Sequence, residues 1–159
     1  MNLSEKDYRI SGDLDINLIN SKLSDIEGDV EVLNLVFENG DQRFEADTVQ
    51  VSSVFEDDGK KLFKINSDIV KGEIAGVFDI EQIPNNFLAY YHRNFPKFMN
   101  KFGLKKPQKE YRNANFRFDF QIDDAGDFAK IIDKGIDSIK GVDLHGVMNT
   151  VDDLSLIHI

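Results

Sequence analysis

A mainly β fold with two helical segments is predicted by three features of the sequence: long stretches of alternating apolar and polar residues, turn signals between them, and two places where helical spacing replaces the alternation. The stretch "YRISGDLDINLIN" sets the pattern. Its even positions, Tyr8, Ile10, Gly12, Leu14, Ile16 and Leu18, are apolar or small, while Arg9, Ser11, Asp13, Asp15 and Asn17 are polar. A period of two puts these sets on opposite faces of a strand, one apolar and one wet. "EGDVEVLNLVFENGDQRFEADTVQV" continues in kind, with Val30 and Val32 on one phase and Leu33, Leu35 and Phe37 on the other. The change of phase near Val32 predicts a bulge or a twist. Asn39-Gly40 predicts a hairpin turn.

After a second turn signal, "EDDGKK", Phe63, Ile65 and Ile69 alternate with Lys64, Asn66 and Asp68, and Ile74, Gly76, Phe78 and Ile80 restart in phase. The pieces "GDLDI", "GDVEV" and "GEIAG" recur loosely at Gly12, Gly28 and Gly72. So irregular a repeat suits successive rungs of an elongated sheet better than a closed propeller.

A helical insertion is predicted over about 82–103, where Phe87, Leu88, Tyr91, Phe95, Phe98, Met99 and Phe102 have helical spacing. Pro96 kinks or restarts that helix, and Gly103 can end it. "NANFRFDFQIDD" then alternates without a break, Phe116, Phe118, Phe120 and Ile122 against Asn115, Arg117, Asp119 and Gln121. A second helix is predicted over about 127–140, with Asp127 as its cap and Phe128, Ile131, Ile132, Ile136 and Ile139 on one face. "VDLHGVMNTV" starts a further strand.

The chain ends on the apolar hexapeptide "LSLIHI" directly after "TVDD". Composition alone allows a short edge strand there. Back-translated, however, the hexapeptide resembles the mosaic-end adapter of transposon-based sequencing libraries. The expectation is therefore a scar over 154–159, set aside from the fold, and a native chain of 1–153 that is a piece of something longer.

With 159 residues there is enough chain for one domain with a sizeable core. No cysteine is present, so disulfides and thiolate metal sites are excluded. No apolar run approaches the length of a membrane-spanning helix. A formal charge of −10 argues against nucleic acid as a partner, because a phosphate backbone needs a basic face. That charge is uneven: Arg93 to Arg117 holds eight bases and one acid, Glu110, a net of +7 that leaves −17 on the rest.

The inventory for catalysis is thin, and no enzyme, metal or cofactor is predicted. His92 and His145 lie on unlike elements and read as a solvated helix residue and a strand residue near a turn. Asp123, Asp124 and Asp127 in "DDAGD" lack the spacing and final Glu of a calcium loop, and acids at a helix entry explain them better. The aromatic and basic insertion carries more. Arg93, Lys97, Lys101, Lys105 and Lys106 among aromatics could lie at an anionic membrane surface. The competing and preferred reading has Phe87, Tyr91, Phe95, Phe98 and Phe102 covering the open end of the sheet while the lysines stay in water. The strands pose a sharper question: what covers their apolar face? The sheet either folds over itself as a sandwich or leaves an apolar trough, and an exposed trough implies an apolar ligand.

At this point the run "LFKINSDIVKGEIAGVFDIEQIPNNFLAYYHRNFP", followed by "NFRFDFQIDDAGDFAKII" and a Gly-introduced strand, resembles the periplasmic repeat region of the TamB and wider AsmA-like proteins, in the versions found in Bacteroidetes. The likeness covers roughly Ile10 to Asp153. It is a pattern of elements in order rather than an invariant motif. It implies an elongated antiparallel sheet curled into a taco-shaped groove with an apolar interior, in the periplasm, on a parent protein anchored in the inner membrane by an N-terminal helix. It further implies phospholipid acyl chains as ligands, carried toward the outer membrane, and a TamA-like outer-membrane barrel as a partner in assembling outer-membrane proteins. The anchor and any barrel-docking segment are not recognisable in this sequence. The groove lining expected on this basis is Leu14, Ile16, Ile65, Ile69, Ile74, Phe78, Phe116, Phe118 and Phe120. The alternative is a non-enzymatic β-sandwich binding or adhesin-type module.

Overall fold

Strands dominate the chain, as the alternation predicts. The structure is a computed structural model that describes residues 8–20, 22–101, 103, 105–107, 113–132, 139–150 and 154–158. Eight strands run in chain order through one antiparallel sheet: β1 (Tyr8–Asn20), β2 (Glu27–Asn39), β3 (Gln42–Phe55), β4 (Lys61–Ser67), β5 (Val70–Val77), β6 (Asn115–Asp124), β7 (Lys140–Asn149) and β8 (Leu154–His158). Each strand pairs only with its neighbours in sequence, so the sheet is open, with β1 and β8 as its edges. All described strands belong to this sheet, so the second sheet that a sandwich requires is not among them.

Cross-strand partners share a face, and the pairing therefore extends the alternation across the molecule. Leu14 lies opposite Val32, Val32 opposite Val49, Val51 opposite Ile65, and Phe63 opposite Ile74, which faces Phe118. These residues make one apolar face. Asp15, Glu31, Gln50, Asn66 and Lys71 form a row on the other.

The phase change in β2 is a bulge. The pairing of β1 with β2 shifts by one between Ser11 and Asp13, and Asn34 in β2 has φ 53°, a left-handed conformation that Asn tolerates better than most residues. The extra residue returns Leu35 and Phe37 to the apolar face beside Ile10. Leu33 does not join them. It pairs with Asp13 and is 39% exposed on the polar side, so the odd phase expected for it begins only after Asn34. β3 makes the matching change, from Phe44 and Ala46 to Val49 and Val51. Between them the adjacent N–H groups of Asp47 and Thr48 both donate to the Asp68 carboxylate, at 3.1 and 3.4 Å. Two neighbouring donors on one side mark a strand that has gained a residue.

Turns fall where the sequence places them. Gly40, at φ 61°, starts the two-residue link from β2 to β3, and Gly59, at φ 78°, sits in the β3–β4 turn. The Ser67 hydroxyl accepts from the N–H groups of Ile69 and Val70 and donates to the Val70 carbonyl, closing the β4–β5 turn.

The insertion forms α1 (Ile83–Asn94) and α2 (Pro96–Lys101), so Pro96 restarts the helix. The Phe95 N–H still bonds the Tyr91 carbonyl at the join. α3 spans Gly126–Ile132, one residue earlier than the helix expected over 127–140. The remainder of that helix with Ile136, like Phe102, Lys109, Glu110 and Arg112, lies outside the described residues. Ile139 precedes β7, which begins at Lys140. The terminal hexapeptide, set aside from the fold on sequence grounds, supplies β8, which pairs with β7 from His145 to Asn149. The free edge of β7 offers a row of unpaired backbone groups, and a short β-prone segment satisfies them.

Candidate functional site

β6 is the densest apolar strand, and its neighbours accommodate it with glycine. Phe116, Phe118 and Phe120 lie on one face, paired with Gly76, Ile74 and Gly72 on β5 and with Met148, Gly146 and Leu144 on β7. A Cβ on Gly72 would come within 2.2 Å of the Phe120 ring, and one on Gly146 within 2.6 Å of the Phe118 ring. The missing side chains are the space in which the two rings lie.

α1 then covers this part of the face. Phe87 meets Phe116 at 6.4 Å and Phe118 at 5.7 Å between ring centroids, both edge-on, and Ile83 and Tyr90 pack against the same cluster. Phe78 meets Phe116 edge-on at 5.7 Å. Burial of this kind stabilises by about 1.5–3 kcal/mol per large side chain.

The residues expected to line a trough therefore divide. Ile74, Phe78, Phe116 and Phe118 are core, 2–8% exposed, and do not line an open surface. The physical reason is the α1 aromatic face, which fills the space above them. Phe120 packs at the margin of this core. Ile65 and Ile69 are partly buried. Leu14 and Ile16 are open, 61% and 52% exposed.

Two further elements close parts of the face. At one end of the sheet the 3-10 turn Leu23–Asp25, which links β1 to β2, folds against β4. The Lys61 Nζ donates to the Ser24 carbonyl at 2.5 Å, and the Ser53 hydroxyl donates to the Ile26 carbonyl at 2.8 Å. Lys61 is 2% exposed, and its ammonium lies 4.8 Å from the Phe55 ring centroid and 5.8 Å from that of Phe78. Burial pushes its pKa below the usual lysine value, against the pull of Asp25 and Asp79. At the other end α3 lies on β3, with Phe128 edge-on to Phe44 at 5.2 Å and Ala46 and Ala129 buried.

What these covers leave is a window over the middle of β1–β3. It consists of Leu14 and Ile16 with the partly buried Val30, Val32, Val49 and Val51, and Ile10, 72% exposed, continues it along β1. The sequence put Leu14 and Ile16 on one phase of their strand and Val30 and Val32 on one phase of theirs; the pairing joins them, with Val49 and Val51, on one face. The sequence did not show the window's limits, because those depend on where α1, α3 and the Leu23–Asp25 turn land.

The opposite face carries a largely self-paired polar row, with Val54, Leu62, Ala75 and Val147 as an apolar strip beside it. Gln50 Nε2 donates to Glu31 at 2.7 Å and Asn66 Nδ2 to Gln50 at 3.2 Å, while Glu73 lies between Lys64 at 3.9 Å and Arg117 at 3.6 Å. A shallow hollow of about 570 Å³ over Asp15, Asp29, Glu31 and Lys64 belongs to this face. Among the described residues no group of three or more His, Asp or Glu could hold a metal ion. His92 is on α1 with its Nε2 buried and unpartnered, not solvated as expected, and His145 is on β7 opposite Asp119. Asp124 accepts from Lys140 at 2.7 Å and from the Gly126 N–H at 3.1 Å, and Asp127 pairs with Lys130 at 3.3 Å, so these two acids at the entry of α3 have protein partners.

Of the basic residues of the insertion, Arg93 ends α1, Lys97 and Lys101 lie on α2, and Lys105 and Lys106 follow it; all five are exposed. No described helix is long and apolar enough to cross a membrane. No family model, curated protein or solved structure matches the chain.

Proposed function

We propose that the chain is a non-enzymatic acyl-chain shield, part of a β-groove protein that carries lipid across a bacterial envelope. The observation that carries the reading is the contrast within one apolar face: the β5–β7 half is sealed by α1, whereas Leu14 and Ile16 remain more than half exposed over the β1–β3 half. A contiguous apolar surface of this kind marks an interaction site. Its own residues are aliphatic, which suits a hydrocarbon chain. Each methylene buried there gains about 0.8 kcal/mol, so holding a lipid requires no head-group site and selectivity among lipids is low. The likeness of "SDIVKGEIAGVFDI" and its surroundings to AsmA-like proteins supports the envelope setting and the periplasmic location. It also supports a place in outer-membrane assembly beside a TamA-like barrel.

The test is capture of a fluorescent fatty acid by Ile16→Asp and Phe118→Asp variants, with circular dichroism as the check on folding. Ile16→Asp is expected to stay folded and lose capture by at least about tenfold, the equivalent of two lost methylene burials. Phe118→Asp is expected to unfold the β5–β7 half, because it places a carboxylate in the core. Undiminished capture by folded Ile16→Asp overturns the reading.

A further inference from the structure

We infer that the outward side of α2 is a docking surface for an anionic lipid bilayer. α2 is pinned by Met99, which is 2% exposed, and this fixes which side faces out. On that outer side Phe95 and Phe98 are 52% and 55% exposed. Phe98 lies on α2, and Phe95 sits at the join just before it, with its ring 6.0 Å from that of Tyr91. Phe87, from the same insertion, is spent on the core, so the preferred expectation that Phe95 and Phe98 also cover the sheet fails for these two rings. Lys97 and Lys101, four apart, flank them, and Lys105 follows; none of the three makes an ion pair among the described residues.

The chemistry of the partner follows from this combination. The sequence has no acid from Gln82 to Lys109, in a chain where acids outnumber bases 29 to 19. Projecting aromatics ringed by lysine suit the boundary between head groups and acyl chains, where ring burial and attraction to anionic lipid add. The acidic remainder of the chain does not cancel this locally, because charges farther away than about 8 Å are largely screened at physiological ionic strength. Nucleic acid is disfavoured by the net charge, and an acidic protein would need no pair of protruding phenylalanines. Docking stands on these observations alone. Only its purpose, to bring the Leu14–Ile16 window to a source of acyl chains, rests on the shielding role proposed above.

The experiment is flotation of the full chain with vesicles of phosphatidylcholine alone or of equal parts phosphatidylcholine and phosphatidylglycerol, at low and at physiological salt. The wild type is expected to float with the anionic vesicles, less so as salt rises, and not with the neutral ones. Lys97→Gln with Lys101→Gln should weaken partition about thirtyfold, from about 1 kcal/mol per basic residue near an anionic surface. Phe95→Ser with Phe98→Ser should weaken it at least as much, and the exposure of all four residues leaves the fold intact. Absence of binding to anionic vesicles at low salt, equal binding to both vesicles, or binding unchanged in both double variants overturns the proposal. Capture of fatty acid from solution, measured on the same proteins, separates the two roles: absence of capture by the wild type, with flotation retained, removes the shielding role and leaves docking standing.

Discussion

Lys61 shows how much a single position contributes that its neighbours in sequence do not reveal. In "GKKLFKIN" it reads as a turn lysine. In the sheet it falls on the apolar face, opposite Phe55 and Gly76, where its stem is packed and its ammonium is held by the Ser24 carbonyl. Its lowered pKa sets a direction for pH dependence. Between that lowered value and the ordinary 10.5 the unfolded chain holds more protons than the folded one, so this group makes stability rise as pH rises through that interval. Lys61→Met keeps the length and removes the charge. The variant is expected to be at least as stable as the wild type at neutral pH and to lack the alkaline gain. Urea midpoints of both proteins, at neutral pH and again just under pH 10.5, check this, because titration of all other groups cancels in the difference. A difference that does not change with pH would mean that Lys61 titrates normally.

Among the elements, β2 and β3 are the ones whose internal irregularity matters most. Without the extra residue at Asn34, the residues from Leu35 to Phe37 would change faces and half of the strand would turn its apolar set to water. The bulge is thus what keeps a phase-shifted sequence on one continuous apolar surface. Backbone conformation, not side-chain contact, is the constraint at Asn34. Asn34→Gly is expected to be nearly neutral and Asn34→Val to cost about 1–2 kcal/mol in urea denaturation. Equal losses in the two variants would show that the Asn34 side chain, which reaches Asp13 at 3.4 Å, is the important feature instead. α1 makes the contrasting case. Its spacing of Phe87, Tyr91 and Phe95 is legible as helical, yet Phe87 packs on the core and Phe95 is exposed, because α1 ends at Asn94 and Phe95, at the join before Pro96, leaves helical geometry with φ −132° and ψ 52°.

For the whole molecule, the uneven cover predicts uneven stability. β5, β6 and β7 share a core with α1, whereas β1 is an edge strand exposed along nearly all of its length. Local opening follows buried contact. Hydrogen exchange is therefore expected to protect the amides of Phe116 and Met148 at least about a hundredfold more than those of Leu14 and Ile16. Uniform protection along the sheet would mean that β1 and β6 open together as one cooperative unit, and that the division into sealed and open halves has no energetic counterpart.

The sequence by itself determined the strands, their wet and apolar faces, the turns at Gly40 and Gly59 and the existence of a helical insertion, because these depend on residues two to four positions apart. It also placed a phase change near Val32. Tertiary structure decided what those local patterns could not contain. α1 lies on β6 rather than leaving Phe116 and Phe118 open, Gly72 and Gly146 make room for Phe120 and Phe118, and Lys61 is buried beneath the Leu23–Asp25 turn. Each of these joins residues far apart in the chain. A periodic pattern says which face of an element is apolar; only the path of the chain says what, if anything, covers it.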